Sequence, residues 1–364
     1  MAWQGIDGHD AVVERFVAAE ARGRIAGTYL FIGPEGVGKG SFARALAKAL
    51  VCPAPRPGLI PCGACPSCLQ ADAGSHPDID VVAKPEDRAT IPLETFIGDR
   101  ENRMREGLCW RILLRPALGK RKVAIILDAD HLAEEGANCL LKTLEEPPDG
   151  SVIILVGTAL ERQLPTIRSR SQIIRFAPLD AATVADIVRR GHAAGMTEPG
   201  ATDDAAIASA AARSGGSIAR ARLLLDPEVA TFRARLLALL ASRPLQGVEL
   251  SKEVQAAVEG AGKDAPPRRA RLRIILAAAI EFFRAALRHD ATEASQASGE
   301  PVLDRAVRSW GGTADEATDA LRWTLDALDG IERNAHLPTL VDAWTARLEA
   351  PPAPPAPAPA PRRG

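Results

Sequence analysis

Residues 33–40 read Gly-Pro-Glu-Gly-Val-Gly-Lys-Gly, the spacing of a phosphate-binding loop between a strand and a helix. In such a loop, backbone N–H groups surround phosphate oxygens and the lysine reaches the terminal phosphates. The next position normally carries a hydroxyl that binds Mg²⁺, and here it is a glycine. Ser41 follows, but its side chain projects roughly 100° away around the helix axis. The sequence predicts a loop that holds ATP or ADP weakly, without hydrolysis. Its residues are Gly33, Gly36, Gly38, Lys39 and Gly40.

The segments around this loop predict an α/β fold. Thr28–Ile32 is a β-branched and aromatic run that enters the loop, and Lys39–Val51 continues from it with apolar residues at helical spacing. Further apolar runs lie at 79–82, 123–127, 152–156 and 173–176. Because these runs are continuously apolar rather than alternating, we expect strands of a parallel sheet that is buried on both faces.

A site that hydrolyses nucleotide also needs acidic residues at the end of a buried strand, one for Mg²⁺ and one to orient the attacking water. The run 123–127 is followed by Asp128-Ala129-Asp130, which contains no adjacent acidic pair. At least one of the two roles therefore has no residue. Asp128 is the candidate nucleotide-site residue, and the alternative is that it only closes a turn.

Four of the six cysteines lie within one short segment that is rich in Pro and Gly. Their spacing, Cys52-x9-Cys62-x2-Cys65-x2-Cys68, supplies four thiolates for a tetrahedral Zn²⁺ in a closed, structural site. The alternatives are unligated thiols in a loop, or His76 in place of one cysteine. The two isolated cysteines, Cys109 and Cys139, are expected to be small core residues.

Charge and hydropathy exclude some classes of protein. The 364 residues include 45 Lys and Arg against 46 Asp and Glu, so a general electrostatic attraction to nucleic acid or membrane is not supported. No apolar run approaches the ~18 residues that a bilayer span requires. The sequence predicts a cytoplasmic protein with no membrane partner.

The C-terminal half is helical in character. Short Ala-rich stretches at 181–194, 203–213 and 217–225 predict a small helical lid. From 227 to 348 only helical periodicity is found, which predicts a separate all-α domain. The end of the chain alternates Pro and Ala, a composition that cannot bury a core.

Residues 138–148, Asn-Cys-Leu-Leu-Lys-Thr-Leu-Glu-Glu-Pro-Pro, resemble the signature segment of bacterial clamp-loader subunits of the AAA+ class. The phosphate loop, the four cysteines, Ser169-Arg170 and Gly216-Ser217 follow the order and spacing of that family. The resemblance covers residues 1 to about 225 with specific motifs, and 227–348 by helical character alone.

This resemblance implies an AAA+ P-loop domain with a parallel sheet, an inserted zinc-binding module, a small helical lid and an all-α C-terminal collar domain for oligomerisation. The implied boundaries are 1–177 for the P-loop domain with its zinc insertion at about 52–70, 178–226 for the lid, 227–350 for the collar, and 351–364 for a disordered Pro/Ala tail.

Departures from the family pattern matter for function. Without gaps, the family's magnesium-binding Asp falls on Leu127 and its water-orienting Glu on Asp128. The lid arginine that senses nucleotide falls on Ala219, whereas the arginine of the Ser-Arg element is kept as Arg170. Composition alone would class Arg168 and Arg170 as surface charges. The resemblance implies instead that Arg170 is a catalytic arginine finger, supplied in trans to a neighbouring subunit.

The leading hypothesis is a non-hydrolysing clamp-loader subunit of the DNA polymerase III holoenzyme. Its implied partners are motor subunits of the gamma/tau type and a delta subunit, with the sliding clamp and primed DNA reached through the complex. One alternative is an active gamma/tau-like ATPase. The other is a zinc-dependent nucleic-acid-binding module, which is disfavoured because Arg56 is the only basic residue between Cys52 and Cys68.

Overall fold

The computed structural model describes residues 3–85, 88, 90–103, 105–193, 203–291 and 300–349. The chain forms two compact units, Met1–Leu225 and Asp226–Gly364. The Pro/Ala tail at 351–364 lies outside the described residues. Within the described part of the chain, none of the helices combines the length and apolar character of a bilayer span.

Five parallel strands form the sheet of the first unit, in the order β2-β3-β4-β1-β5. The strands are β1 Thr28–Ile32, β2 Ile79–Val82, β3 Lys122–Ile126, β4 Ser151–Gly157 and β5 Gln172–Arg175. Every residue of β1, β3 and β4 is buried, as their continuous apolar runs predict. The predicted α/β fold with a parallel sheet is confirmed.

Helices cover both faces of this sheet. Before the lid they are α1 Asp10–Ala21, α2 Lys39–Val51, α3 Pro66–Asp72, α4 Glu94–Ile97, α5 Leu108–Arg111, α6 Glu134–Glu145 and α7 Pro165–Arg168. Successive strand residues face opposite layers, since Phe31 packs with Phe16 and Phe42 while Leu30 packs with Phe96 on the other side. Burial of each such side chain stabilises the fold by about 1.5–3 kcal/mol.

Three helices at the end of the first unit pack together in the region predicted to be a lid, and we call them the lid helices. They are α8 Ala181–Ala193, α9 Asp204–Arg213 and α10 Ile218–Leu224. They share a small core of their own, which includes Val184, Val188, Ile207 and Ala221. Ser217 caps α10 because its hydroxyl accepts a hydrogen bond from the Arg220 N–H at 3.2 Å.

The described residues of the second unit are entirely helical outside their connections. The helices are α11 Pro227–Ala241, α12 Gly247–Glu259, α13 Ala265–Ala291, α14 Pro301–Ser309, α15 Ala314–Glu332 and α16 Leu337–Glu349. Their common core includes Leu276, Phe282 and Trp344. A buried guanidinium, Arg233, bonds Glu300 at 2.9 Å and Glu281 at 2.8 Å. This triad joins α11 to α13 and to the start of α14.

Candidate nucleotide site and cysteine cluster

The predicted phosphate loop connects the carboxyl end of β1 to the first turn of α2. Its glycines are required by close contacts. A Cβ on Gly33 would collide with the carbonyl oxygen of Phe176, and a Cβ on Gly36 would collide with the hydroxyl of Ser217. The loop is therefore packed against the end of the sheet on one side and the lid on the other.

The loop lysine is buried and hydrogen-bonded within its own loop. The ammonium of Lys39 donates to the carbonyl oxygens of Gly33 at 2.7 Å and Pro34 at 2.6 Å. Burial lowers the pKa of Lys39, an effect that the nearby carboxylates of Asp130 and Glu35 partly offset. A phosphate that bound this ammonium would have to compete with the two carbonyls.

The two predicted defects of the site lie against each other. Outside its own helix and its chain neighbours, the described atom nearest to a Cβ built on Gly40 is the Cδ2 methyl of Leu127, at 3.4 Å. Leu127 directly follows β3 and packs against the core layer that contains Phe42. Position 40, where a hydroxyl is expected, and position 127, where a carboxylate is expected, therefore lie side by side. Neither residue carries an oxygen atom in its side chain that could bind Mg²⁺.

The acidic residues after β3 differ in their surroundings. Asp128 is exposed, has a left-handed φ of 55°, and accepts a hydrogen bond from the Lys84 N–H at 3.3 Å. Asp130 accepts from the N–H and hydroxyl of Thr158 at 2.8 and 2.6 Å, and from the amide of Gln163. The charge of Asp130 raises the pKa of Lys39, although Asp130 was not among the predicted site residues. Its position in Asp-Ala-Asp was the available signal.

The lid contacts the loop directly. The backbone N–H of Ile218 donates to the carbonyl oxygen of Gly36 at 2.9 Å. The Cβ of Ala219 lies 3.0 Å from the position that a Cβ on Gly36 would occupy. The position to which the resemblance assigns a nucleotide-sensing arginine therefore faces the phosphate loop and carries only a methyl group.

The first residues of the chain also touch the loop, a contact that the sequence did not predict. The ring Nε2 of His9 donates to the carbonyl oxygen of Val37 at 2.8 Å. Six residues earlier, the indole N–H of Trp3 donates to the carbonyl oxygen of Gly58 in the cysteine-containing segment at 3.1 Å. Residues 3–9 therefore connect the phosphate loop to that segment.

The four clustered cysteines converge. The sulfurs of Cys52, Cys62, Cys65 and Cys68 all lie within 4.8 Å of one another, and those of Cys62 and Cys68 are 3.9 Å apart. Sulfurs bound at ~2.3 Å around one tetrahedral Zn²⁺ would be about 3.8 Å apart. Because the donors are four thiols at this spacing, the residues fit a closed metal site.

The surroundings of the cluster favour the thiolate of Cys62 and disfavour that of Cys68. Backbone N–H groups of Ala64 and Cys65 lower the pKa of Cys62 to about 6, whereas burial raises the pKa of Cys68 to about 12. The Cys62 N–H donates to the Cys52 sulfur and the Cys68 N–H to the Cys65 sulfur, each at 3.4 Å. A bound cation would favour the deprotonated form of all four.

The predicted finger residue is paired within its own unit. The Nε of Arg170 donates to the Glu145 carboxylate at 2.6 Å, and its Nη1 donates to the carbonyl oxygen of Thr166 at 3.0 Å. The Arg170 side chain remains 30% exposed. Arg168, by contrast, is exposed and forms no side-chain hydrogen bond or ion pair with the described residues. The two arginines of this segment therefore have different surroundings.

Cys109, Cys139 and His76 are part of neither the phosphate loop nor the cysteine cluster. Cys109 is buried as predicted, and burial raises its pKa to about 11. Cys139 is half-buried, and its carbonyl oxygen accepts from the Cys109 thiol at 3.6 Å. His76 is buried, its Nδ1 accepts from the Asp78 N–H at 3.0 Å, and it is not part of the cysteine cluster.

Known proteins match the part of the chain that contains these sites. The family described as "DNA polymerase III, delta subunit" matches residues 8–180. The gamma/tau subunit of DNA polymerase III from Mycobacterium tuberculosis is 35% identical over 184 residues, 50% of this chain and 30% of that protein. The delta' subunit from Pseudomonas aeruginosa is 36% identical over 161 residues, 44% of this chain and 46% of that protein. The Escherichia coli delta' subunit is 33% identical over 165 residues, again 46% of its length.

The matches thus span less than half the length of these relatives. A crystal structure of a gamma-subunit-related protein from Thermotoga maritima, 16% identical, aligns with 93% of this chain and 98% of its own, at a TM-score of 0.38. The range matched by the family model, residues 8–180, includes the phosphate loop, the four clustered cysteines and Arg170. Residues 8–180 thus match the family described as DNA polymerase III, delta subunit, and the chain is similar to delta' subunits and to a gamma/tau subunit of DNA polymerase III.

Proposed function

We propose that this chain is a clamp-loader subunit that does not hydrolyse ATP itself. The observation that carries the proposal is that Leu127 lies beside Gly40, with a methyl group 3.4 Å from the position that a Cβ on Gly40 would occupy. Mg²⁺ needs oxygen ligands in near-octahedral geometry, and phosphoryl transfer needs the ion to neutralise developing charge. A glycine and a leucine offer neither a hydroxyl nor a carboxylate. Nucleotide binding, if it occurs through Gly33, Gly36, Gly38 and Lys39, is weak and does not lead to turnover.

In the proposed assembly, Arg170 acts on a neighbouring motor subunit. A guanidinium that reaches the terminal phosphate of a neighbour stabilises the charge of the transition state, an effect worth roughly 10³ to 10⁵ in turnover. The Arg170 fork is held by Glu145 and Thr166 and is still partly exposed. This arrangement supports the proposal because an ordered fork loses little rotamer freedom on binding phosphate. The neighbour's phosphate would replace or share the Glu145 contact.

The cysteine cluster is proposed to hold one structural Zn²⁺. Cys52 ends α2 and Cys65 caps α3, so a bound ion would join these two helices. With four protein ligands there is no open position for a substrate. The ion would therefore contribute folding free energy rather than catalysis.

The second unit is proposed to be the oligomerisation collar. It has an apolar helical core, and among its described residues no group of His, Cys, Asp or Glu side chains is placed to hold a metal ion. The proposed partners are gamma/tau motor subunits and a delta subunit, with the sliding clamp and primed DNA contacted through the complex. The proposed location is the cytoplasm, where chromosomes are replicated.

A second candidate function is an active motor subunit. It is favoured by the 35% identity to the Mycobacterium tuberculosis gamma/tau subunit. The substitutions at positions 40 and 127 weigh against it. The decisive experiment measures ATP hydrolysis by the purified chain alone and after addition of purified gamma/tau and delta subunits. We expect no hydrolysis by the chain alone, and stimulation by primed DNA only in the assembly. Turnover by the chain alone would establish the motor function.

A further inference from the structure

A shallow groove in the second unit is lined by aromatic side chains. It lies where the start of α15 and the end of α16 meet the segments that follow α11 and α14. Trp310 and Trp323 line it and are both half-buried, so part of each indole ring faces solvent. The Trp310 ring packs against Phe282 and Phe283 of the core, with centroids 6.0 and 6.2 Å away. The guanidinium of Arg243 lies 5.1 Å from the Trp310 centroid. The groove is therefore an ordered aromatic surface that this unit leaves partly uncovered.

The two indole rings of the groove also carry hydrogen-bond donors that are not used. The indole N–H of Trp344, in the core of the same unit, donates to the Thr324 hydroxyl at 3.0 Å. Those of Trp310 and Trp323 have no acceptor among the described residues. An indole N–H can only donate, so a ligand of this groove should present hydrogen-bond acceptors beside apolar groups.

The end of α16 forms part of this groove. Leu348 lines the groove, and α16 ends one residue later at Glu349. Residues 351–361 follow, with the sequence Pro-Pro-Ala-Pro-Pro-Ala-Pro-Ala-Pro-Ala-Pro. A segment that is attached beside its binding groove has an effective concentration in the mM range. Even a weak contact is then enough to keep such a segment bound.

The composition of residues 351–361 matches the chemistry of the groove. Alternating Pro and Ala favours the polyproline II conformation, which has three residues per turn and no internal hydrogen bonds. In that conformation Pro351, Pro354 and Pro357 would share one face, with Pro352 and Pro355 beside it. Because the backbone carbonyls of such a helix are unused, they can accept from indole N–H groups while the pyrrolidine rings pack on aromatic surfaces.

The charges of the groove and of the segment are complementary. Arg362 and Arg363 follow the proline run, and residues 350–364 contain no acidic side chain. The helix α15, which forms one wall of the groove, contains six acidic residues and one basic residue. Three arginines pair with acidic residues of this helix, namely Arg243, Arg322 and Arg347. An excess of negative charge therefore remains along α15 and would attract the two arginines of the segment.

We propose that residues 351–363 bind in the groove beside Leu348 of the same chain, as a polyproline II segment that covers Trp310 and Trp323. The chain's own segment is favoured over an external ligand because it begins three residues after Leu348 and carries the prolines, the free carbonyls and the positive charges that suit the groove. Binding would remove indole surface from water and so stabilise the second unit.

The test uses the full-length chain with ¹⁵N-labelled tryptophan, which gives one indole N–H resonance for each of the five tryptophans. Single tryptophan-to-phenylalanine variants assign the resonances. A chain that ends at Ala350 should shift the resonances of Trp310 and Trp323 and leave the other three in place, at an unchanged fold by circular dichroism. Resonances of Trp310 and Trp323 that stay in place on truncation would overturn the inference.

Full-length variants test whether the prolines are responsible. Pro354→Gly with Pro355→Gly removes part of the preference for polyproline II and should move the two groove resonances towards their positions in the truncated chain. Ala353→Gly with Ala356→Gly is the matched control, because it adds the same flexible residue and keeps every proline. Its resonances should stay near those of the unmodified chain. Equal shifts in the two variants would show that the prolines have no special role, and the inference would fail.

A further measurement separates the chain's own segment from other occupants of the groove. Binding within one chain gives the same resonances at every protein concentration, whereas shifts that grow with concentration would indicate a second copy and overturn the inference. A synthetic peptide of residues 351–364, added to the truncated chain, should restore the resonances with a dissociation constant of roughly 1 mM or below. Its affinity should fall as the salt concentration rises. If only added gamma/tau or delta subunits moved the two resonances, the groove would belong to another protein and the inference would be wrong.

Discussion

A methyl group of Leu127 lies 3.4 Å from the position that a Cβ on Gly40 would occupy. One residue belongs to the first turn of α2 and the other follows β3, so the sheet topology brings together two positions that are 87 residues apart in the sequence. In an active site of this type, these positions supply the oxygen atoms for Mg²⁺. The missing hydroxyl at position 40 and the missing carboxylate at position 127 therefore affect the same Mg²⁺ position.

Restoring the oxygen atoms at that contact should restore metal binding. We expect Gly40→Thr with Leu127→Asp and Asp128→Glu to bind ATP more tightly in Mg²⁺ than in EDTA, as measured by isothermal titration calorimetry. A Cβ at position 40 would lie 3.4 Å from the Cδ2 methyl of Leu127, an ordinary van der Waals distance, so the site accommodates a side chain there. Full turnover is not expected, because Ala219 still lacks a guanidinium. Gly40→Thr alone is the control, and equal affinity in Mg²⁺ and EDTA for the triple variant would contradict the expectation.

The substitution Lys39→Ala should lower the stability of the chain without changing ATP hydrolysis by the clamp loader. It removes hydrogen bonds to the carbonyls of Gly33 and Pro34, so we expect a lower melting temperature, with a loss of about 1–3 kcal/mol in unfolding free energy. ATP hydrolysis by the reconstituted clamp loader should stay nearly unchanged. A large drop in that hydrolysis, in a variant that still assembles, would favour the motor function instead.

The substitution Arg170→Ala should reduce DNA-stimulated ATP hydrolysis and clamp loading while assembly stays intact. The loss in the whole complex should be smaller than the 10³ to 10⁵ of a single site, because other sites keep their own arginines. Arg170→Lys should rescue poorly, since a point charge cannot reproduce the planar fork. The measurements are steady-state hydrolysis with primed DNA and size-exclusion chromatography of the complex.

Arg168→Ala is the control for this prediction, because Arg168 is exposed and forms no side-chain hydrogen bond or ion pair with the described residues. Its effect should be mild. Equal effects at positions 168 and 170 would indicate a packing role for the whole segment. The same conclusion would follow if Arg170→Ala prevented assembly, since Arg170 joins α7 to Glu145 of α6.

The cysteine cluster should contain one Zn²⁺ per chain. Cys65→Ser removes a ligand, so we expect a lower melting temperature and lower solubility, with little change in the activity of the folded fraction. The measurements are elemental analysis and thermal unfolding before and after chelation. Cys109→Ser is the control for metal content, because Cys109 lies outside the cluster. Protein that contains no stoichiometric metal after careful purification would rule out the site.

Removal of the second unit should abolish assembly. A chain that ends at Leu225, where the first compact unit ends, should lose co-purification with gamma/tau and delta subunits. Circular dichroism and thermal unfolding would show that the truncated chain is folded. Normal assembly by this fragment would assign oligomerisation to the first unit instead.

The sequence by itself determined the features that depend on neighbouring residues. The strand, loop and helix around Lys39 follow from an apolar run, a glycine pattern and helical spacing, each readable within about fifteen residues. The spacing from Cys52 to Cys68 predicted the convergence of four sulfurs for the same reason. Continuous apolar runs predicted a sheet that is buried on both faces, because a strand covered on both sides needs apolar side chains at every position.

Only the tertiary structure decided which distant residues meet. The contact of Gly40 with Leu127, the pairing of Arg170 with Glu145 and the hold of Asp78 on the loop before β3 all join segments far apart in sequence. No local pattern encodes such contacts, since they depend on strand order and on the loops that the sheet brings together. Asp130 was overlooked for this reason. Its role depends on Thr158, which directly follows the neighbouring strand β4, and on Lys39 of α2.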